Sequence, residues 1–149
     1  NFQLLFFSIF IRFWFSETST IHSSELFPNS EALYIVGSFS SATGVDHTTR
    51  NVSGIGESVG GYCLPMGLGF QLPSEALAVA YSTSRSALYV GGSFHFGNGA
   101  EVTRLGRIAN GTISGIDEGV SNSVFAVAVH ESTGIIYVAG AFLDATGGS

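Results

Sequence analysis

The sequence predicts an all-β fold built from repeated units of short antiparallel strands, and three observations support this prediction. First, a strand-like stretch with a tyrosine in it occurs three times, at residues 33–39, 88–94 and 136–142. Second, the tyrosines of these stretches lie 55 and 48 residues apart: Tyr34, Tyr89 and Tyr137. Third, no window keeps apolar residues at helical spacing once the Gly and Ser residues are counted.

One unit, read from residue 124 and wrapped back to residue 120, contains four predicted strands. They cover residues 124–129, 135–142, 102–109 and 113–120. Asn110-Gly111 is a strong signal for a tight hairpin turn, because both central residues of a type I′ turn need positive φ. Four antiparallel strands in about 48 residues are typical of a propeller blade. We therefore expect a partial β-propeller of four-stranded antiparallel blades, about three in number, one complete and two partial.

The repeat sets the predicted boundaries of the units at 32–75, 76–123 and 124–149. The first unit carries 13 extra residues around 62–74, and we expect residues 62–75 to project as a loop. Residues 52–59 align without gaps to 113–120, and this alignment gives Glu57 and Glu118 equivalent positions.

The first 31 residues differ from the repeats. Residues 2–15 are almost wholly apolar, are too short to span a bilayer and are interrupted by Arg12. We interpret them as a truncated signal or anchor, with a segment foreign to the mature protein and a core strand as alternatives. Residues 16–31 are predicted to be a linker that ends in a strand partner for the first repeat. Any membrane association is expected only through this N-terminal segment.

Composition limits the partners. Of the 149 residues, 45% are hydrophobic and 11% are charged, and the net charge is −6. All five basic residues are arginines. We expect no nucleic-acid partner, because phosphate binding needs clustered cations. Ser, Thr and Gly take the place of charge, which favours a secreted or cell-surface location.

Three stretches resemble kelch-like propeller repeats: residues 87–94, the apolar strand before them, and residues 108–120 with the Asn110-Gly111 turn. The resemblance covers residues 32–149. It is strongest to secreted or surface repeat proteins such as the fungal cortical polarity-marker family, and structurally to the galactose-oxidase central-domain superfamily. It implies a non-catalytic repeat scaffold that binds protein or glycan through loops on one face of the blades. The alternatives are a fragment of a galactose-oxidase-like enzyme with catalytic residues outside this chain, and an intracellular kelch adaptor.

No residue is assigned a catalytic, cofactor-binding or metal-binding role. A galactose-oxidase likeness would imply copper held by Tyr and His beside a Cys–Tyr thioether, and Tyr62-Cys63 are adjacent in sequence. The histidines, however, stand at positions that are not equivalent in the repeat: His22, His47, His95 and His130. Cys63 is the single cysteine, and we interpret it as a buried thiol, with an intermolecular disulfide or a reactive thiol as the alternative.

Polar pairs in predicted turns need no catalytic reason. Asp46-His47 and His130-Glu131 are acid–base candidates of this kind. Asp117-Glu118 lacks the carboxylate spacing of an EF-hand calcium loop. The Gly-Gly pairs at 91–92 and 147–148 are not followed by the Lys of a phosphate-binding loop. We therefore expect no cofactor.

Two sequons mark candidate N-glycosylation sites, at Asn51 and Asn110. In the alignment of residues 52–59 with 113–120 both sequons precede the same strand. We therefore expect both asparagines on the same turn of their blades.

Overall fold

The computed structural model describes residues 14–15, 20–26, 32–66, 75–97, 100–116 and 119–143. Within these ranges the chain forms strands, turns and loops and no helix, which confirms the predicted all-β class. The strands in chain order are β1 (Trp14–Phe15), β2 (Thr20–Leu26), β3 (Leu33–Ser38), β4 (Ser41–Thr43), β5 (Thr49–Asn51), β6 (Ile55–Val59), β7 (Tyr62–Pro65), β8 (Ala76–Ser82), β9 (Ala87–Gly92), β10 (Phe96–Gly97), β11 (Ala100–Glu101), β12 (Leu105–Ala109), β13 (Thr112–Gly115), β14 (Val124–His130) and β15 (Ile135–Gly140).

Two of the sheets have four strands and the same topology. The first sheet has the strand order β2-β3-β6-β7, and the second sheet has the order β8-β9-β12-β13. The third sheet is the hairpin β14-β15, and two small sheets are formed by β1-β4-β5 and β10-β11. Every pairing is antiparallel. The described residues form no closed ring of sheets.

The backbone repeats with the spacing of the tyrosines. In the first, second and third sheets alike, the pairing of the first two strands skips one residue of the first strand. The skipped residues are His22, Leu77 and Phe125. Such a bulge bends and twists a strand locally. The three bulges lie 55 and 48 residues apart, as the tyrosines do. The repeat is therefore a repeat of backbone geometry as well as of residue type.

A glycine lies opposite each bulge, near the end of the second strand: Gly37, Gly92 and Gly140. A Cβ at Gly92 would meet the carbonyl oxygen of Glu75, where the first strand of the sheet begins. The equivalent carbonyl oxygens block a Cβ at the other two glycines in the same way. The glycine that recurs in the sequence motif is thus required by a close approach of two backbones.

The second sheet packs against both of its neighbours. On one side β8 contacts β2 and β3 of the first sheet. On the other side β8 and β9 contact β14 of the third sheet. The main core lies between the first and second sheets. Its buried members are Tyr34, Val36, Ile55, Ala76, Val79, Leu88, Val90, Phe94, Val102, Ile108 and Ile113. Because side chains alternate along a strand, Leu88 and Val90 face the first sheet while Tyr89 and Gly91 face away from it. A Cβ at Gly91 would meet Val124 and Val127 of the third sheet.

The first unit has four strands rather than the partial set that the sequence predicted. Residues 20–26 lie in the segment predicted as a linker that ends in a strand partner for the first repeat, and they form β2, which pairs with β3. Residues 62–65, predicted as the start of a projecting loop, form β7 and pair with β6. The turn between β6 and β7 is Gly60-Gly61, with φ of 56° and 85°, and it matches Asn110-Gly111 between β12 and β13, with φ of 50° and 72°. Residues 67–74 of the expected loop lie outside the described residues.

The predicted alignment of residues 52–59 with 113–120 is wrong. By strand order, β6 corresponds to β12 and β7 to β13. Gly54 and Arg104 precede these strands with positive φ, 77° and 61°. Their backbone N–H groups donate to the carbonyl oxygens of Phe39 and Phe94 at 2.7 and 2.8 Å. The fully buried Val52 therefore corresponds to Val102 and not to Ile113, and Glu57 corresponds to Arg107 and not to Glu118.

Candidate binding cleft between the first and second sheets

A cleft of about 350 Å³ opens between the first and second sheets. Volumes of this order are at the lower end of the range for small-ligand sites. The β8-β9 turn, the β12-β13 turn and the end of β7 surround it. The lining residues are Tyr34, Glu57, Met66, Tyr81, Ser86, Leu88, Ile108, Ala109, Asn110 and Gly111.

Tyr34 is the middle residue of a row of three directly opposed residues on β2, β3 and β6 of the first sheet. It is directly opposite Glu25 on β2 and directly opposite Glu57 on β6. Directly opposed residues of antiparallel strands point to the same face of the sheet. Two carboxylates therefore flank one tyrosine on the face that packs against the second sheet.

The second sheet contributes Tyr81, near the end of β8. The rings of Tyr34 and Tyr81 stack with their centroids 6.3 Å apart and their planes 23° apart. Such pairs stabilise a protein by about 0.5–1.5 kcal/mol beyond the burial of their area. Tyr34 is 8% exposed, whereas Tyr81 is half-buried. Tyr81 therefore presents the accessible part of the aromatic pair.

The protonation of Tyr34 follows from its surroundings. Burial, the negative charge of Glu57, the neighbouring Tyr81 and the hydrogen bond to the Glu57 side chain together raise the pKa of Tyr34 to about 12, with burial the largest cause. The tyrosine hydroxyl donates in that bond and the carboxylate accepts. Tyr34 thus stays neutral at physiological pH and holds Glu57 at the cleft.

Glu25 links the two sheets on the other side of Tyr34. Burial raises its pKa, and a hydrogen bond from the backbone N–H of Tyr81 partly offsets this effect by favouring the carboxylate. Among the described residues β8 is an outer strand of its sheet, on the side that faces β2. Glu25 therefore fixes the end of β8, which bears Tyr81, against the first sheet.

The opposite side of the cleft is the Asn110-Gly111 turn. Both residues have positive φ and both are exposed, as the sequence predicted for a type I′ hairpin. The apolar side chains of Leu88 and Ile108 lie below, in the core between the sheets. The cleft thus combines an apolar floor, an aromatic wall, a carboxylate and a polar turn.

The two sequon asparagines are exposed, but they do not occupy the same turn, contrary to the sequence prediction. Asn51 ends β5 in a small sheet, whereas Asn110 stands in the β12-β13 turn at the cleft. The residue equivalent to Asn110 in the first unit is Gly60. The error has the same cause as the wrong alignment of residues 52–59.

Asp46 pairs with Arg50. Its carboxylate accepts from Arg50 at 2.7 Å and from the backbone N–H of Thr48 at 3.1 Å. The hydrogen bonds to the Arg50 guanidinium hold the pKa of Asp46 far below its usual range. The group is exposed and stabilises the β4-β5 turn, away from the cleft.

Glu131 and His130 each bind other residues. The carboxylate oxygens of Glu131 accept from the backbone N–H groups of Ser84 and Thr83, both at 3.0 Å. These bonds lower the pKa of Glu131, and the bond from Ser84 has the larger effect on it. Glu131 thus joins the β14-β15 turn to the β8-β9 turn. The imidazole of His130 instead lies 2.8 Å from the hydroxyl of Thr133.

Tyr62 and Cys63 point to opposite sides of β7. Cys63 is 1% exposed and Tyr62 is 45% exposed, so the structure does not bring the phenol to the sulfur. Burial raises the pKa of the Cys63 thiol to about 11, which matches the interpretation as a buried thiol. Among the described residues no three His, Cys, Asp or Glu side chains are grouped to hold a metal ion. Asp117-Glu118 and Gly147-Gly148 lie outside the described residues.

In the sequence Tyr34 is recognisable only as a marker of the repeat, and Tyr81 is not recognisable as a site residue. One signal for Tyr81 was available, because the equivalent residue of the third unit is the aliphatic Val129. Tyr81 thus differs from its equivalent in an otherwise apolar strand, and such a difference indicates that the residue has a role specific to its own unit. The contact of Tyr34 with Glu57 depends on the register of β3 and β6, which the wrong alignment concealed.

A comparison of the chain with protein-family models, with curated proteins and with solved structures finds no match in any of the three. In the part of the chain that the structure describes, no helix is long and apolar enough to cross a membrane.

Proposed function

We propose that this protein is a non-catalytic repeat scaffold that binds a protein or glycan partner through the cleft between its first two sheets. The observation that carries the proposal is the stacked pair Tyr34–Tyr81 with Glu57 beside it, at a cleft bordered by two hairpin turns. Aromatic faces with a few fixed polar groups are the usual composition of a binding site. Both turns belong to the second sheet, which is one blade in this scheme, and the first sheet is the neighbouring blade.

We further propose that the three larger sheets are blades of a kelch-like propeller. The recurrence of the bulge, of the glycine opposite it and of the stacking of each sheet on the next supports this architecture. The equivalent tyrosines are 8% exposed in the first sheet, 1% in the second and 57% in the third: Tyr34, Tyr89 and Tyr137. A further sheet of the same repeat, packed on the third, would bury Tyr137 as the third sheet buries Tyr89.

The absence of catalysis is part of the proposal and has support in the polar contacts. Asp46 is held by Arg50, and Glu131 is held by the backbone of the β8-β9 turn. Both acid–base candidates thus have a structural role. A secreted or cell-surface location accords with the low charge and with sequons on exposed asparagines, Asn51 and Asn110.

The experiment is a titration of the ¹⁵N-labelled chain followed by amide chemical shifts. The probes are two neutral disaccharides, N,N′-diacetylchitobiose and mannobiose, and the Nα-acetyl methylamides of arginine, glutamate and phenylalanine. We expect at least one probe to shift the amides of Tyr81, Ser86 and Gly111 saturably. Tyr81→Ala should abolish these shifts, and Tyr137→Ala, which removes an exposed tyrosine outside the cleft, should retain them. Shifts that survive Tyr81→Ala, or no shifts at these amides with any probe, would contradict the proposal.

A further inference from the structure

The cleft has negative charge that the described part of the chain does not neutralise. Glu57 lines it and Glu25 lies in the same row, both half-buried. The described arginines are placed elsewhere. Arg50 pairs with Asp46, and Arg104 donates to the carbonyl oxygen of Val120. Half-buried carboxylates without a cation favour a ligand that brings one.

The remaining two described arginines are also directed away. Arg85 lies against Gly134 of the third sheet. Arg107 is directly opposite Tyr89, so it points to the face of the second sheet that is turned away from the cleft. The positive group that would complement Glu57 therefore has no source among the described residues.

The shape and lining of the cleft suit one cation in particular. A guanidinium group is planar, stacks on aromatic faces and binds a carboxylate with paired hydrogen bonds. Tyr81 offers an accessible aromatic ring, and Glu57 offers the carboxylate. Leu88, Ile108 and the half-buried Met66 provide an apolar surface on which the three methylene groups of an arginine can lie.

Resting on the proposed binding function, we infer that the partner is a protein and that the cleft receives one of its arginine side chains, with the guanidinium against Tyr81 and Glu57. The net charge of −6 accords with this choice, because it attracts a basic partner at long range. The inference selects a protein over a neutral glycan.

The test compares Nα-acetyl-arginine methylamide with the citrulline derivative, which has the same shape and no charge. We expect the arginine probe to shift the amides of Tyr81, Ser86 and Gly111, and the citrulline probe to bind at least about tenfold more weakly, since a charged hydrogen bond and a cation–π contact are lost. Added salt should weaken binding of the arginine probe.

The variant is Glu57→Gln, which keeps the size of the side chain and removes its charge. We expect about a tenfold loss of affinity for the arginine probe and little change for the citrulline probe. A dispersed amide spectrum shows that the variant folds. Tyr81→Phe keeps both the aromatic ring and the charge of Glu57, so it should retain binding of the arginine probe.

The outcomes separate the two proposals. Equal affinity for the two probes, or an arginine affinity that Glu57→Gln leaves unchanged, overturns the inference. Binding of N,N′-diacetylchitobiose at the same amides, without binding of the arginine probe, overturns the inference and retains the proposed function. If none of the five probes named above shifts these amides, the inference and the proposed function are both overturned.

Discussion

Tyr34 of the first sheet stacks on Tyr81 of the second, and the hydroxyl of Tyr34 is hydrogen bonded to Glu57 in its own sheet. This relationship joins the two sheets at the place where the cleft opens. It also fixes the orientation of the carboxylate that the ligand would meet. The packing between two repeats and the candidate site are therefore one structural feature.

Tyr34 should titrate well above the ordinary pKa of a tyrosine. Burial raises its pKa to about 12, so between pH of about 10 and 12 the folded chain keeps a proton that the unfolded chain has lost. The contribution of this group to the free energy of unfolding is full below pH 10 and is lost as the pH rises toward 12. Tyrosinate absorbance measures the titration. Tyr34→Phe should remove the late step and leave the rest unchanged, and a late step that persists in Tyr34→Phe would assign it to another tyrosine.

The link between the second and third sheets depends on the charge of Glu131. Glu131→Ala removes the acceptor of the Ser84 and Thr83 amides, and hydrogen exchange of both amides should become several-fold faster. Ser132→Ala, which changes the neighbouring residue of the same turn, is the control. Equal exchange rates in wild type and Glu131→Ala would show that this bond does not hold the turns together.

Protonation should have a similar effect on this link. The pKa of Glu131 is lowered in the folded state, so its stabilisation is present above its ordinary pKa of about 4.5 and is lost as the pH falls below that value. The measurement is the protection of the Thr83 and Ser84 amides, corrected for the intrinsic pH dependence of exchange. Protection that stays constant through this range of pH would contradict the assignment.

The repeated glycine should be the least replaceable residue of the motif. Gly92→Ala places a Cβ against the carbonyl oxygen of Glu75, so the backbone must shift, and we expect a loss of about 3–4 kcal/mol in the free energy of unfolding. Gly111→Ala is the matched control, because its Cβ meets no atom within 4 Å and only its positive φ costs about 1–2 kcal/mol. Urea unfolding measures both variants. Equal losses would mean that the close approach opposite the bulge is not a constraint.

Cys63 should be inert in the folded chain. Its side chain is buried and its thiol has a pKa of about 11, so little thiolate is present at pH 8. We expect labelling by a thiol reagent to be far slower in the folded chain than in urea, where the thiol regains its ordinary pKa near 9. Rapid labelling under native conditions would contradict the buried position in β7.

The sequence was sufficient for the features that depend on local chemistry. The residue types Asn and Gly, which tolerate positive φ, identified the Asn110-Gly111 turn, whose φ values are positive in the structure. The spacing of Tyr34, Tyr89 and Tyr137 identified equivalent strands. Both signals come from residues whose conformation or packing is set within a few positions of the chain. They led to the correct fold class and to a correct hairpin.

The sequence was not sufficient where equivalence depends on the backbone. The alignment of residues 52–59 with 113–120 matched similar letters, whereas the structure matches the positive φ of Gly54 with that of Arg104, two residues with nothing in common as side chains. Gly60-Gly61 was likewise passed over as a hairpin turn, so β7 was interpreted as a loop.

The candidate site lay beyond the sequence for a related reason. Glu57 meets Tyr34 only in the register in which β6 pairs with β3, and Tyr81 meets Tyr34 only when the first and second sheets stack. The first relation requires the correct strand alignment. The second is a contact between sheets, which the alternation of residues along a strand does not specify.

The most direct measurement is of intermolecular nuclear Overhauser effects between Nα-acetyl-arginine methylamide and the aromatic protons of the chain. Our account predicts contacts from the side-chain methylene protons of the probe to the ring of Tyr81 and to the methyl groups of Leu88 and Met66, which line the cleft. Contacts to the exposed ring of Tyr137 instead, with none to Tyr81, would contradict the account, because they would place the binding surface on the third sheet.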